Sequence, residues 1–282
     1  MNYRHAFHAG NFADVVKHAV LVALLEALKQ KDAPCSYFES HAGAGRYDLT
    51  GEEAKKTGEH RDGVSRLLAA TRLPAALHVY LNLVRSLGPH PAGGLAAYPG
   101  SPLIASLLLR PDDRLVLCEL QEAEAAALRR LFQGDKRVAI HRRDGYEALR
   151  ALLPPTPRRG MALIDPPFEA QSLEFDAIAD ALTHAFARWP TGVYAVWYPI
   201  KLRQQIAPFH RFLKKSGMTK VLVAELCVHP DNSALRLNGC GLAIVNAPYR
   251  LDRTLAQVMP ALLPLLAQGR YGSQRVEWLV EG

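Results

Sequence analysis

Asp165, Pro166, Pro167 and Phe168 follow directly on the apolar run Ala162-Leu163-Ile164. Such a run suits a strand buried on both faces. The prolines lack the N–H that a ladder needs, so the strand ends there. Asp165 is thereby presented at the carboxyl end, where ligands bind in open α/β sheets. An exocyclic amine on a planar base offers two N–H donors. Asp165 and the Pro166 carbonyl are suited to accept both, with the Phe168 ring stacked on the base. Holding both hydrogens draws the nitrogen lone pair out of conjugation and frees it to attack an electrophile. The competing reading of the same four residues is a strand-ending Asp-Pro turn that caps a helix.

Three further acid or glycine positions fall at predicted strand ends. Ser36 to Glu39 reads as a strand running into Ser40-His41-Ala42-Gly43-Ala44-Gly45, a strand followed by G-x-G as in nucleotide-binding doubly wound folds. Glu119 ends a strand over Arg114 to Cys118 and is placed to accept from ribose hydroxyls. It lies much further past Gly45 than the usual interval of about 20 residues, an excess that an intervening helical segment accounts for. Asp144-Gly145 follows a strand over Arg137 to His141, with the acid suited to an adenine amino group and the glycine to close approach. The plainer alternatives are a helix N-terminal acid at Glu119 and a type I turn at Asp144. Ser101 reads as a helix cap with Pro102 at the first position. His5, His8, His18, His41 and Asp14 raise a metal site, but their spacings match no zinc pattern, and none is expected.

The elements that must carry these residues alternate in α/β order. Val15, Ala19, Val22, Leu25 and Leu28 recur at helical spacing in a helix to about Gln30, capped by Asn11 or Asp14, with Lys17 and His18 on its first turns. Residues 47–97 break the rhythm as a small helical insertion, whose Lys55, Lys56, His60, Arg61 and Arg66 line either a nucleic-acid groove or a solvated face. Residues 1–46 then hold the N-terminal tail, first helix and first strand, and residues 98–282 the remainder of the core. A helix over Ser172 to Arg188, strands over Gly192 to Trp197, Lys220 to Val228 and Gly241 to Val245, and a helix from Leu251 complete it, with a last strand near Arg275 to Val280. The 282 residues are 49% hydrophobic and 22% charged, enough for a sizeable core. A net charge of +7 favours polyanionic partners. Cys35, Cys118, Cys227 and Cys240 form no C-x-x-C pair, so reduced thiols are expected. With no signal peptide and no apolar run long enough for a bilayer, a cytoplasmic protein without membrane partners is the expectation.

The order of acid, Asp-Gly and Asp-Pro-Pro-Phe resembles that of class I S-adenosylmethionine (AdoMet)-dependent methyltransferases, and Asp-Pro-Pro-aromatic resembles the motif of amino-directed adenine N6-methyltransferases. The block Tyr-Arg-His-Ala-Phe-His-Ala-Gly-Asn, with Ala-Asp-Val-Val-Lys-His, His-Ala-Gly-Ala-Gly-Arg-Tyr, Tyr-Pro-Gly-Ser-Pro-Leu-Ile-Ala and Trp-Tyr-Pro-Ile, is similar to the RlmJ family through nearly the whole chain. The resemblance implies a Rossmann-like, mostly parallel sheet of about seven strands. It also implies N6-methylation of one adenine in 23S ribosomal RNA, with AdoMet as donor and S-adenosylhomocysteine as product. AdoMet contacts are then implied at His18, His41, Ser101, Glu119, Asp144, Gly145 and Asp165, the N6 proton acceptor at Asp165, and an RNA contact at Tyr3. By neighbourhood, His5, Lys17, Pro166 and Phe168 join the substrate side. The expected mechanism flips the adenine out of its stack, and the expected substrate is protein-free 23S RNA or an early assembly intermediate, met by a monomer. Rival readings are a DNA adenine N6-methyltransferase, a non-catalytic RNA-binding protein and a His/Asp metallohydrolase.

Overall fold

The computed structural model describes residues 4–87, 95–168, 171–232 and 236–282. Two registers of the same strand residues build the core. In β1 (Ser36–Glu39) and β6 (Gly160–Ile164), Tyr37, Met161 and Leu163 join one apolar cluster, whereas Phe38, Ala162 and Ile164 join another. Side chains alternate across a strand, so each cluster fills one face of a sheet buried on both sides.

The sheet has eight strands in the order β5 (Val138–His141), β4 (Arg114–Cys118), β1, β6, β7 (Val193–Ile200), β9 (Gly239–Val245), β8 (Val221–Cys227) and β10 (Ser273–Val280). The first five run parallel. β9 is antiparallel to β7 and β8, and β10 is antiparallel to β8. The chain winds from β1 to β4 and β5, then crosses back to β6 on the other side of β1 and on to β7. This is the Rossmann-like class I methyltransferase sheet expected from sequence, with β10 added at one edge. The crossing leaves a crevice at the carboxyl ends of β1 and β6, the place where such folds bind ligands.

Helix α1 (Phe12–Lys29) packs under this crevice and is buried on nearly every side, Asp14, Lys17 and His18 included. Asn11 caps it by accepting the Asp14 N–H at 2.9 Å. Short helices α2 (Glu52–Thr57), α3 (Glu59–Asp62) and α4 (Val64–Ala69), then α5 (Ala75–Ser86), follow β2 (Arg46–Asp48). Leu67, Leu77, Tyr80 and Val84 place α4 and α5 in the same apolar cluster as α1 and α11 (Leu251–Leu266). A two-stranded antiparallel sheet pairs β2 with β3 (Ala97–Pro99), Tyr47 opposite Tyr98. Its strands are too short for any alternation to announce them. Helices α6 (Ser101–Leu108) and α7 (Glu122–Leu131) follow β3 and β4. The opposite face carries α8 (Gly145–Leu152), α9 (Gln171–Arg188) and α10 (Arg203–Lys215).

Ser101 is not the cap of α6. Gly100 takes that position and Ser101 is the first helical residue, its hydroxyl donating instead to the buried Glu39 carboxyl. The four cysteines are buried free thiols. Among the described residues no helix is long and apolar enough to cross a membrane.

Candidate active site

One cavity of about 840 Å³ opens over the crevice. It is lined by His5, Lys17, His18, His41, Ser101, Glu119, Asp144, Gly145, Asp165, Pro166 and Phe168, which is every residue assigned from sequence to cofactor or substrate except Tyr3. Tyr3 lies outside the described residues.

Asp165 follows β6 directly, and its carboxylate reaches the cavity with its side chain 15% exposed. It caps no helix. Lys17 Nζ donates to Asp165 Oδ2 at 2.7 Å and pairs with Asp14 Oδ1 at 3.1 Å. Asp14 Oδ2 in turn meets His5 Nε2 at 2.9 Å and accepts the Gly10 N–H at 2.9 Å. Burial alone would raise the Asp14 pKa, but His5 and Lys17 outweigh it and hold the carboxyl well below its usual range. The result is a hydrogen-bonded row, His5–Asp14–Lys17–Asp165, from the N-terminal turn to the end of β6. Phe168, in the left-handed region at φ 50°, turns its ring into edge contacts with Phe175 and Trp197 and remains 7% exposed. A non-glycine residue there costs energy and persists only where its surroundings enforce it.

On the β4 and β5 side, Glu119 Oε2 accepts the Gly43 N–H at 2.9 Å and its Oε1 the Gln121 N–H at 2.7 Å, which fixes the acid to the loop after β1. Asp144 caps α8 through Oδ1, accepting from the Tyr146 and Glu147 N–H groups at 2.9 and 3.0 Å. The turn reading and the ligand reading are therefore compatible, since Oδ2 is not needed for the cap. A Cβ on Gly145 would stand 2.3 Å from the Ser40 carbonyl oxygen and 2.9 Å from His41, so only glycine lets this loop close on the end of β1. His41 hydrogen-bonds Ser40 Oγ through Nδ1 at 2.8 Å, and burial pushes its pKa down to about 4.

One group escaped the sequence reading. Glu39, fully buried at the end of β1, bonds Ser101 and accepts from Tyr37 Oη at 2.7 Å, and burial pushes its pKa up to about 8. It ends a strand expected from sequence, where nothing in the pattern sets it apart. His18 Nε2 is buried and, among the described residues, has no partner, though Nδ1 bonds Tyr98 Oη at 2.7 Å. Buried polar atoms are rarely left this way, and one on a cavity wall points to a ligand. This orphan, the glycine-lined close approach and the acids at the ends of β4 and β5 fit AdoMet, whose nucleoside carries donors and whose other end carries a carboxylate. Among the described residues no group of three or more His, Cys, Asp or Glu side chains is arranged to hold a metal ion. Of the basic residues in the 47–97 segment, Arg66 is engaged by Asp62 and the Ala267 carbonyl, whereas Lys55 and Lys56 are exposed.

Residues 32–280 match the model of the family described as ribosomal RNA large subunit methyltransferase D, RlmJ. The chain is 42% identical over 280 residues to ribosomal RNA large subunit methyltransferase J of Escherichia coli (strain K12), with 99% of each chain covered. It is 40% identical over 281 residues to the protein of the same name from Haemophilus influenzae, again with 99% of each covered. The crystal structure of protein LPL1258 from Legionella pneumophila has a TM-score of 0.87 at 35% identity and covers 96% of this chain and 98% of that one.

Proposed function

The chain belongs to the RlmJ family of ribosomal RNA large subunit methyltransferases, and from that premise we propose that it transfers a methyl group from AdoMet to N6 of one adenine in 23S ribosomal RNA. The observation that carries the reading is the Asp165 carboxylate, held by Lys17 at the end of β6 in a cavity it shares with Glu119, Asp144 and the unpartnered His18 Nε2.

AdoMet when bound supplies a methyl group on a sulfonium, already activated for transfer. His18, His41, Ser101, Glu119, Asp144 and Gly145 are proposed to hold it, with the two acids accepting from the nucleoside. The target adenine leaves its stack at a cost of a few kcal/mol and enters from the open side. Asp165 Oδ1 and the Pro166 carbonyl accept its two N6 hydrogens while Lys17 retains Oδ2. Phe168, stiffened by Phe175 and Trp197, offers a wall for the base. His5 and Tyr3 complete the substrate side. Once N6 is alkylated its proton is acidic, so Asp165 has only to receive it. Positioning two reactants in this way contributes roughly 7–11 kcal/mol at best.

Lys201, His229 and Arg236 line the same cavity on the side of β7 and β9, away from Glu119 and Asp144. This polarity supports a polyanion approaching from the β7–β9 side. Protein-free RNA or an early assembly intermediate, met by a monomer in the cytoplasm, is the proposed setting. Mapping N6-methyladenine in ribosomal RNA from cells lacking the protein tests the reading. Loss of one site from 23S RNA is expected. Unchanged ribosomal RNA, or a lost mark in duplex DNA instead, would overturn it.

A further inference from the structure

The carboxyl end of β7 continues sideways into a row of chain ends. Ile200 stands opposite Gly239, Gly239 opposite Cys227, and Cys227 opposite Ser273. The link from α11 to β10, Ala267 to Gly272, therefore lies at the same end of the sheet as the cavity. It is short and anchored. The Ala267 N–H donates to the Leu263 carbonyl at 2.9 Å and the Gln268 N–H to the Val228 carbonyl at 3.2 Å. Arg66 donates to the Ala267 carbonyl at 3.2 Å. Gln268 and His229 line the cavity, and a Cβ on Gly269 would stand 3.7 Å from His229 Nδ1. Arg270 and Tyr271 form the exposed turn that follows. Three residues span at most about 11 Å of chain, so Tyr271 stands within that reach of Gln268.

An exposed aromatic ring on its own is ordinary. Its place and its neighbours decide what it can do. Tyr249 is 84% exposed, but it follows β9, whose Val245 stands opposite Tyr194 at the start of β7. It lies at the far end of the sheet, with the Arg250 guanidinium over its ring at 5.1 Å. Tyr271 is 73% exposed and, among the described residues, has no hydrogen bond, ring contact or cation over it. The cations on its side of the cavity are equally uncommitted. Among the described residues Lys201, Arg236 and Arg270 enter no ion pair, whereas Asp231 and Asp62 are taken up by Arg203 and Arg66.

We propose that the Arg270–Tyr271 turn is a second RNA-holding point, where the Tyr271 ring stacks on an unpaired base next to the flipped adenine and Arg270 meets a phosphate beside it. The inference rests on the reading of the cavity as the pocket for a flipped base. A free ring among unpaired cations is the combination that holds single strands, because every base has a face to stack and every nucleotide a phosphate. Flipping one adenine also strips its neighbour of a stacking partner. A ring waiting at the cavity mouth replaces part of that stack and offsets part of the cost of extrusion. The anchored link holds the ring in place before RNA arrives, so little ordering is left to do on binding. Stacking of this kind adds affinity without choosing the base.

The test is RNA binding by full-length variants, read by filter binding on unmodified 23S RNA over a range of salt, beside methyl transfer by the wild type. Tyr271→Ala is expected to weaken RNA binding by about fivefold to a hundredfold, the loss of one stacked base, with the salt slope unchanged. Tyr271→Phe keeps the ring and is expected to bind within about twofold of wild type. Arg270→Ala is expected to lower the salt slope by about 0.7–0.9, one phosphate contact. Tyr249→Ala, at the far end of the sheet, is expected to change nothing. S-adenosylhomocysteine affinity, measured by calorimetry, shows that each variant is folded. Tyr271→Ala that binds RNA like the wild type overturns the proposal and leaves the functional reading standing. A Tyr271→Phe variant as weak as Tyr271→Ala overturns the stacking role. Wild-type protein that transfers no methyl group to RNA overturns the functional reading, whatever Tyr271 does.

Discussion

Lys17 Nζ lies 2.7 Å from Asp165 Oδ2 although 148 residues separate them in the chain. The pair joins the first helix to the turn after β6 and orients the one carboxylate that the proposed chemistry requires. Among the described residues Oδ1 keeps no hydrogen-bond partner, so the acid is half anchored and half available.

Lys17 also neutralises Asp14, and the two acids have side chains only 2% and 15% exposed. Removing one member of a buried ionic group leaves the others uncompensated, which costs about 3–5 kcal/mol. Lys17→Met is expected to lower stability by that order in urea unfolding and to abolish methyl transfer. The double variant with Asp14→Asn should recover part of the stability and none of the activity. A loss near zero in the single variant would show that the row is not an ionic unit.

Gly145→Ala is expected to weaken S-adenosylhomocysteine binding by more than tenfold, since its methyl group would overlap the Ser40 carbonyl at 2.3 Å and the loop after β1 would have to open. Calorimetry decides, and binding at wild-type strength would exclude this loop from the cofactor site.

These two predictions draw on parts of the site with unequal visibility in sequence. Asp165, Glu119 and Asp144 were legible because strand ends are marked by prolines, acids and glycine, and a parallel sheet gathers those ends. Lys17 and His18 were placed on the right helix, but α1 is apolar nearly all round, so periodicity could not say which way they point. Their partners come from β6, β3 and α5, contacts that only the packed fold creates. The Ser101–Glu39 bond was hidden for a related reason: the hydroxyl that looked like a helix cap is turned back onto a buried acid. The β2–β3 pair was missed because three residues are too few to alternate.

Stability should depend on pH in two opposite ways. Burial holds His18 at about 3 and His41 and His210 at about 4, against about 6.5 unfolded. These folded values are depressed for bases, so the unfolded chain takes up the protons first. Stability is complete above pH 6.5 and falls as pH drops toward 4, by about 1.4 kcal/mol per pH unit for each histidine. Glu39, pushed up to about 8, works the other way: the unfolded carboxyl ionises near 4.5, so stability declines as pH rises toward 8. Urea midpoints from pH 4 to 9 should therefore show a maximum near neutrality, and Glu39→Gln should flatten the alkaline limb and steepen the rise between about pH 4.5 and 6.5.

The basic side of the cavity makes a prediction about salt. Lys201→Ala with Arg236→Ala should weaken RNA binding uniformly across sequences and reduce the salt slope by about 1 per lost phosphate contact. S-adenosylhomocysteine affinity should stay unchanged. An unaltered salt slope would place the RNA elsewhere.

Nucleoside mass spectrometry of unmodified 23S RNA incubated with AdoMet and the protein tests the central claim most directly. The account predicts N6-methyladenosine at one site with the wild-type chain, and none with Asp165→Ala although that variant still binds S-adenosylhomocysteine. Transfer by Asp165→Ala at near wild-type rate, or a methyl group found on any other atom, would contradict it.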